Sequence, residues 1–186
     1  MTIPNLITIG RLLLVPIIVW LMITDRFLAA AAVFVLAGLS DGVDGFIAKR
    51  FNLVSDLGAY LDPLADKALL VFVFLTLGFK GLLPVSLIVL AVSRDILIIG
   101  GVILAWMLGH PIGMRPLWVS KANTVAQILL IAIVLGERAG ISGLSPLIWP
   151  AVLVAGGLTV VSAAAYVVAW VRHMAGWENV TRETDA

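Results

Sequence analysis

Five aspartates, Asp41, Asp44, Asp62, Asp66 and Asp95, fall within or at the edge of long apolar runs. A charged side chain at the centre of a membrane helix costs about 2.5–3.5 kcal/mol. Five at mid-membrane would cost about 12–18 kcal/mol, more than the typical net stability of a domain. Such groups must lie near a helix edge, pair with cations, or bind metal ions. Their spacing narrows the choice. Asp41 and Asp44 are three residues apart and Asp62 and Asp66 four apart, so each pair shares one helical face. A short connection at 49–57 predicts that the two helices are antiparallel neighbours, with both pairs at similar depth. Facing carboxylate pairs make an oxygen-ligand cage. With no cysteine and only His110 and His173, soft-metal sites are disfavoured, and the ligand set suits Mg²⁺ or Mn²⁺.

Small residues flank the acids. Gly42, Gly45, Ala48, Gly58 and Ala59 leave room beside them. Close helix packing uses such residues; so does a ligand that must approach the helix backbone.

The elements that position these groups follow from composition. The chain has 186 residues, 62% hydrophobic and 12% charged, and a mean hydropathy of +1.14. A soluble fold cannot hide that much apolar surface. A soluble globular domain, a disordered chain and a nucleic-acid binder are excluded as readings. The runs at 5–24, 27–48, 57–79, 83–108, 117–136 and 147–171 match the length of a membrane-spanning helix. Period-two alternation is absent, which argues against a β-barrel. The expected fold is an all-α integral membrane protein with six transmembrane helices. Residues 1–175 form one domain and 176–186 a short, frayed, polar cytoplasmic tail. The first span lacks a basic leader and reads as a retained helix.

Six spans place both termini on one side. Arg11, Lys49, Arg50, Arg115, Lys121, Arg172 and Arg182 fall on that side, and only Arg26, Lys80 and Arg138 on the other. The positive-inside rule predicts an N-in/C-in topology. Trp20, Trp106, Trp118, Trp149 and Trp170 fall near span ends, where indole rings favour the interface.

The segment from Asp41 to Asp66 resembles the signature of the CDP-alcohol phosphotransferases (CDP-alcohol phosphatidyltransferases), D-x2-D-G-x2-A-R-x8-G-x3-D-x3-D. Every fixed position matches except Lys49, where the family has Arg; Arg50 follows directly. Lysine keeps the charge and loses the bidentate fork. Ile3 to Arg11 is similar to the family's P-N-x-[LI]-T-x-x-R segment. Leu61-Asp62-Pro63-Leu64-Ala65-Asp66-Lys67 resembles the branch making glycerol-based phospholipids.

The resemblance implies a homodimer in the bilayer of the inner (cytoplasmic) membrane, a polar cavity facing the cytoplasm, and two divalent cations, Mg²⁺ or Mn²⁺. It implies transfer of a phosphatidyl group from CDP-diacylglycerol to a hydroxyl, with release of CMP. Asp41, Asp44 and Asp62 would be metal ligands. Asp66 would hold the second metal or act as general base. Gly45, Ala48, Lys49 and Gly58 would line the nucleotide site, with Asn5, Thr8 and Arg11 touching the nucleotide or its phosphates.

Arg94 and Lys121 are candidates to bind the acceptor. Against this, Arg94 and Asp95 suit a structural ion pair, and Lys121 a snorkelling anchor. Ser93-Arg94-Asp95 and Ser120 to Thr124 look like segments of the CMP-forming cardiolipin synthases. Phosphatidylglycerophosphate synthases tend to carry a second lysine where this chain has Asn123. A phosphate of charge near −2 would use that extra cation. The acceptor is therefore expected to be phosphatidylglycerol, with glycerol 3-phosphate as the alternative. A proton or cation transporter is the remaining class, since intramembrane carboxylates serve there too. It would need access from both faces, whereas these acids crowd towards one.

Overall fold

A computed structural model describes the backbone of residues 3–51, 56–107 and 117–184, and the side chains of 8–40, 65–101, 103–105, 107 and 117–172. The described residues form six α-helices and no strand. They are α1 (Ile3–Ile23), α2 (Phe27–Phe51), α3 (Asp56–Phe79), α4 (Val85–Met107), α5 (Trp118–Arg138) and α6 (Ser145–Thr184). By length and composition, Val85–Ala105, Trp118–Arg138 and Ser145–Arg172 can cross a membrane, and shorter apolar helical stretches cover Thr8–Ile23 and Phe27–Ser40. The chain is a multi-pass membrane protein.

Three helices end alike at one rim of the bundle, here called the far rim. Each closes on a residue in the left-handed region: Asp25 (φ 59°), Gly81 (φ 68°) and Gly140 (φ 94°). At each end, a bond across five residues brackets one across three. Arg26 N–H donates to Leu21 O (2.8 Å) and Asp25 N–H to Met22 O (3.1 Å). Leu82 donates to Leu77 and Gly81 to Gly78; Ile141 donates to Gly136 and Gly140 to Glu137. This paired pattern satisfies carbonyls that a helix end would otherwise leave bare. Asp25 is the one non-glycine in the set. Its carboxylate meets Lys80 Nζ at 2.7 Å, and that ammonium also donates to Ile23 O. The turns after α1 and α3 are thus tied together.

Helix directions follow. Arg11 of α1 meets Asp66 of α3, and Ile23 meets Lys80, so α1 and α3 run parallel. The tight turn at 24–26 makes α2 antiparallel to α1, and therefore to α3. Among the described residues the packing order around the bundle is α1, α2, α5, α6, α4, α3 and back to α1, with α3 also touching α5 across the middle. The expectation that α2 and α3 are direct neighbours where their acids stand falls on residues outside those whose side chains are described. The two helices are antiparallel, α1 packs against both, and no contact joins α2 to α3 among the described residues. The short connection constrains direction without dictating which faces meet.

The core runs along this arrangement. Ile18, Met22, Val73, Leu77, Leu130, Ile131 and Leu135 are fully buried. Leu13, Leu28, Phe79, Leu153 and other large apolar side chains face outward, as a lipid-facing surface requires.

The last helix outruns its predicted span. α6 contains 40 residues, about 60 Å at 1.5 Å per residue, against a hydrocarbon core of about 30 Å. The polar tail expected to fray from Gly176 continues the helix to Thr184. A helix satisfies its own backbone and needs no lipid to persist, and no proline follows Arg172 to break it.

Gly78 holds α3 close to α4. A Cβ built there would fall 1.8 Å from Ile88 Cδ1. Gly78→Ala is expected to destabilise by about 1–3 kcal/mol through overpacking. Adding Ile88→Val, which removes that methyl, should recover most of the loss. Thermal unfolding of the two variants in detergent checks the pair.

Candidate active site

α2 and α3 face each other across a cavity of about 410 Å³. Arg11 of α1, Phe34, Ala37 and Gly38 of α2, Asp66, Leu69 and Leu70 of α3, and Thr124 and Ile128 of α5 line it. Helical register carries the cavity stripes toward the signature. Asp41 and Asp44 follow Phe34 and Ala37 at steps of seven along α2, and Asp62 precedes Asp66 by one turn on α3.

Asp66 is the signature acid whose side chain is described. Arg11 Nη1 donates to its Oδ1 at 2.6 Å. The two ends of this pair differ: the arginine side chain is 1% exposed and the aspartate 44%. Arg11 is a buried anchor, and Asp66 presents its carboxylate to the cavity. Thr8, one turn before Arg11 on α1, is also buried. The pair lies about 18 Å along α1 from the far rim.

The side chains of Asp41, Asp44, Asp62, Asn5, Gly45, Ala48, Lys49 and Gly58 lie outside the described residues. Among the described residues no group of three acidic or histidine side chains converges. The described donor fits a hard cation: a carboxylate on a cavity wall, in a chain without thiolates.

The two acceptor candidates have different settings. Arg94 is buried inside the bundle. Its Nε and Nη2 donate to Ser162 Oγ at 3.2 and 2.8 Å, Nη2 also to Ser120 Oγ, and Nη1 to Asp95 Oδ1 at 2.6 Å. The Tyr166 ring covers it at 5.7 Å. This guanidinium is engaged by α4, α5 and α6 and does not line the cavity. Lys121 is exposed one turn before Thr124, on the cavity-side stripe of α5, with Nζ 5.1 Å from the Trp118 ring centre. Asn123 is fully buried and accepts a hydrogen bond from Thr159 Oγ1 at 2.9 Å. The expectation of phosphatidylglycerol rests on this residue, whose carboxamide oxygen is turned to Thr159 of α6.

Sequence reasoning left Lys67 without a role. Its Nζ lies 2.8 Å from Asp95 Oδ1. Its position directly after the last signature aspartate was the available signal.

Residues 1–176 match the CDP-alcohol phosphatidyltransferase family. The chain belongs to that family. It is 37% identical over 149 residues to the CDP-diacylglycerol–glycerol-3-phosphate 3-phosphatidyltransferase 1, chloroplastic, of Oryza sativa subsp. japonica, covering 71% of this chain and 45% of the relative. It is 37% identical over 147 residues to the CMP-forming cardiolipin synthase of Homo sapiens, covering 70% and 49%. The chain spans about half the length of these two relatives. With the CDP-diacylglycerol–glycerol-3-phosphate 3-phosphatidyltransferase of Pseudomonas fluorescens it shares 36% identity over 184 residues, 91% of each chain.

The ion pair between Arg11 and Asp66 should appear as coupling. In a double-mutant cycle of Arg11→Met and Asp66→Ala, the coupling is expected at about 1–2 kcal/mol, limited by the exposure of the aspartate. Chemical unfolding in micelles measures it, and additive losses would show that the pair contributes nothing.

Proposed function

We propose that the chain is a membrane-embedded phosphatidyltransferase that moves the phosphatidyl group of CDP-diacylglycerol to a glycerol-type hydroxyl and releases CMP. The observation that carries this reading is the cavity between α2 and α3, with the Asp66 carboxylate on its wall and the family signature running along both helices. The apolar lining of Phe34, Val35, Leu39, Leu69, Leu70 and Ile128 suits the acyl part of the donor, and its phosphates need cations among the acids beside Asp66.

The residues divide the work. Arg11 fixes the Asp66 carboxylate from beneath. Asp66 accepts the proton of the incoming hydroxyl as its oxygen attacks the lipid-attached phosphorus. The bond from that phosphorus to the bridging oxygen breaks, and CMP leaves with that oxygen. Asp41, Asp44, Asp62 and Asp66 would hold two divalent ions, Mg²⁺ or Mn²⁺. Bound there, such ions offset the carboxylate charge and stabilise the anionic phosphates. Gly45, Ala48, Lys49 and Gly58 would flank the nucleotide, with Asn5 and Thr8 on α1 beside it.

The setting is six transmembrane helices with both termini in the cytoplasm, in the inner membrane, assembled as a homodimer. The basic residues gathered at the rim opposite the short turns support that orientation. Diacylglycerol tails would leave the cavity sideways into lipid. Two acceptors remain. Phosphatidylglycerol fits the resemblance to cardiolipin synthases, one of which matches at 37% identity. Glycerol 3-phosphate is favoured by the Pseudomonas fluorescens relative, which this chain matches over nearly its full length.

The test is CMP release by the purified protein with CDP-diacylglycerol, Mg²⁺ and each acceptor in turn, together with identification of the lipid product. CMP is expected with one of the two acceptors; release with serine or inositol alone would overturn the branch, and no release with any alcohol would overturn the activity. EDTA should stop the reaction and added Mg²⁺ restore it. Asp66→Asn should lower turnover by about 10²–10⁴-fold, the range typical of a lost general base. Its amide oxygen can still accept from Arg11, so the helical circular dichroism should be unchanged.

A further inference from the structure

Two polar regions lie on either side of the contact between α3 and α5. One is the cavity bearing Arg11 and Asp66. The other lies between α3, α4, α5 and α6. Into it converge Lys67, Arg94, Asp95, Ser120, Gln127 and Ser162. Asp66 and Lys67 are consecutive on α3, about 100° apart around the helix axis. They therefore point into adjoining sectors around α3.

The charges in the second region are unequal. Asp95 Oδ1 accepts from both Arg94 Nη1 (2.6 Å) and Lys67 Nζ (2.8 Å). Arg94 is 5% exposed and also bound to two serines, so it stays where it is. Asp95 is 20% exposed and Lys67 38%. The buried arginine and Asp95 cancel each other, and Lys67 is the surplus positive charge. If Lys67 leaves, Asp95 still has its arginine, and no buried acid is stranded.

We propose that Lys67 binds the phosphate of the acceptor, resting on Asp95 until the acceptor arrives. This rests on the reading under Proposed function. In-line displacement brings the hydroxyl to phosphorus opposite the departing CMP. With the reacting phosphorus at Asp66, the acceptor's charged end comes within reach of the next residue on α3, Lys67. A flexible ammonium that reaches out from a fixed Arg–Asp base suits a mobile phosphate-bearing substrate. Both candidate acceptors, the glycerol phosphate monoester and the phosphatidylglycerol diester, carry that group.

The test compares wild type, Lys67→Met and Lys67→Arg as full-length protein in micelles. CMP release is measured while the acceptor and CDP-diacylglycerol are varied separately, with glycerol 3-phosphate in one arm and phosphatidylglycerol in the other. Lys67→Met is expected to raise KM for the productive acceptor about 10- to 100-fold, the factor for losing one charged hydrogen bond. KM for CDP-diacylglycerol should stay within about twofold, and Lys67→Arg should recover part of the loss. The melting temperature of Lys67→Met should match wild type, because Asp95 keeps Arg94. Three outcomes overturn the proposal: an unchanged acceptor KM, an equal rise for both substrates, or a loss that tracks a lowered melting temperature. Wild type inactive with both acceptors would instead defeat the assigned activity.

Discussion

Charge inside an apolar bundle must be neutralised by partners on other helices, and that constraint organises this protein. Arg11 reaches from α1 to Asp66 on α3. Lys67 reaches from α3 to Asp95 on α4. Arg94 gathers α4, α5 and α6 around one guanidinium. Each bond exchanges a charge that lipid would penalise for a link between helices. The links lie in the part of the bundle where the signature acids begin. Positioning of the site and tolerance of its charges are thus one arrangement.

The asymmetry within each link is what permits chemistry. Arg11 is hidden and Asp66 shown; Arg94 is hidden and Lys67 partly shown. In both cases an immobile guanidinium supports a group that borders open space. Arginine suits the hidden role, because its planar fork stays charged and satisfies several acceptors together. The apolar outside and polar inside invert the pattern of a soluble protein while obeying the same rule, that buried polar groups find partners.

The six helices were legible in the sequence; of the expected site, the structure describes the side chains of Thr8, Arg11, Asp66, Arg94 and Lys121. Long apolar runs broken by charge or glycine announce helices. Steps of three and four between Asp41 and Asp44, and between Asp62 and Asp66, announce shared faces. The placement of α1 between α2 and α3 was not legible, because helix pairing depends on which distant side chains fit. Arg94 finds Ser162 at a separation of 68 residues, and no local pattern encodes that. Asn123 is a related case: its bond to Thr159 comes from another helix, and no local pattern announces it. Lys67 was overlooked because its meaning lies in sharing Asp95 with an arginine, which only the folded chain reveals. The tail was misread because polarity predicts exposure to water, not the loss of helix.

The three capped turns at the far rim have a mechanical consequence. Their backbone bonds and the Lys80–Asp25 bridge leave little slack at that rim. Angular play of the helices therefore pivots there and grows with distance from it. A rocking of about 5° displaces a point about 18 Å away, the height of Arg11 along α1, by about 1.6 Å. For any such rocking the helices are levers, with the reacting groups out along the arms. Small angular changes there can widen or narrow the gap between α2 and α3 without any helix having to unwind.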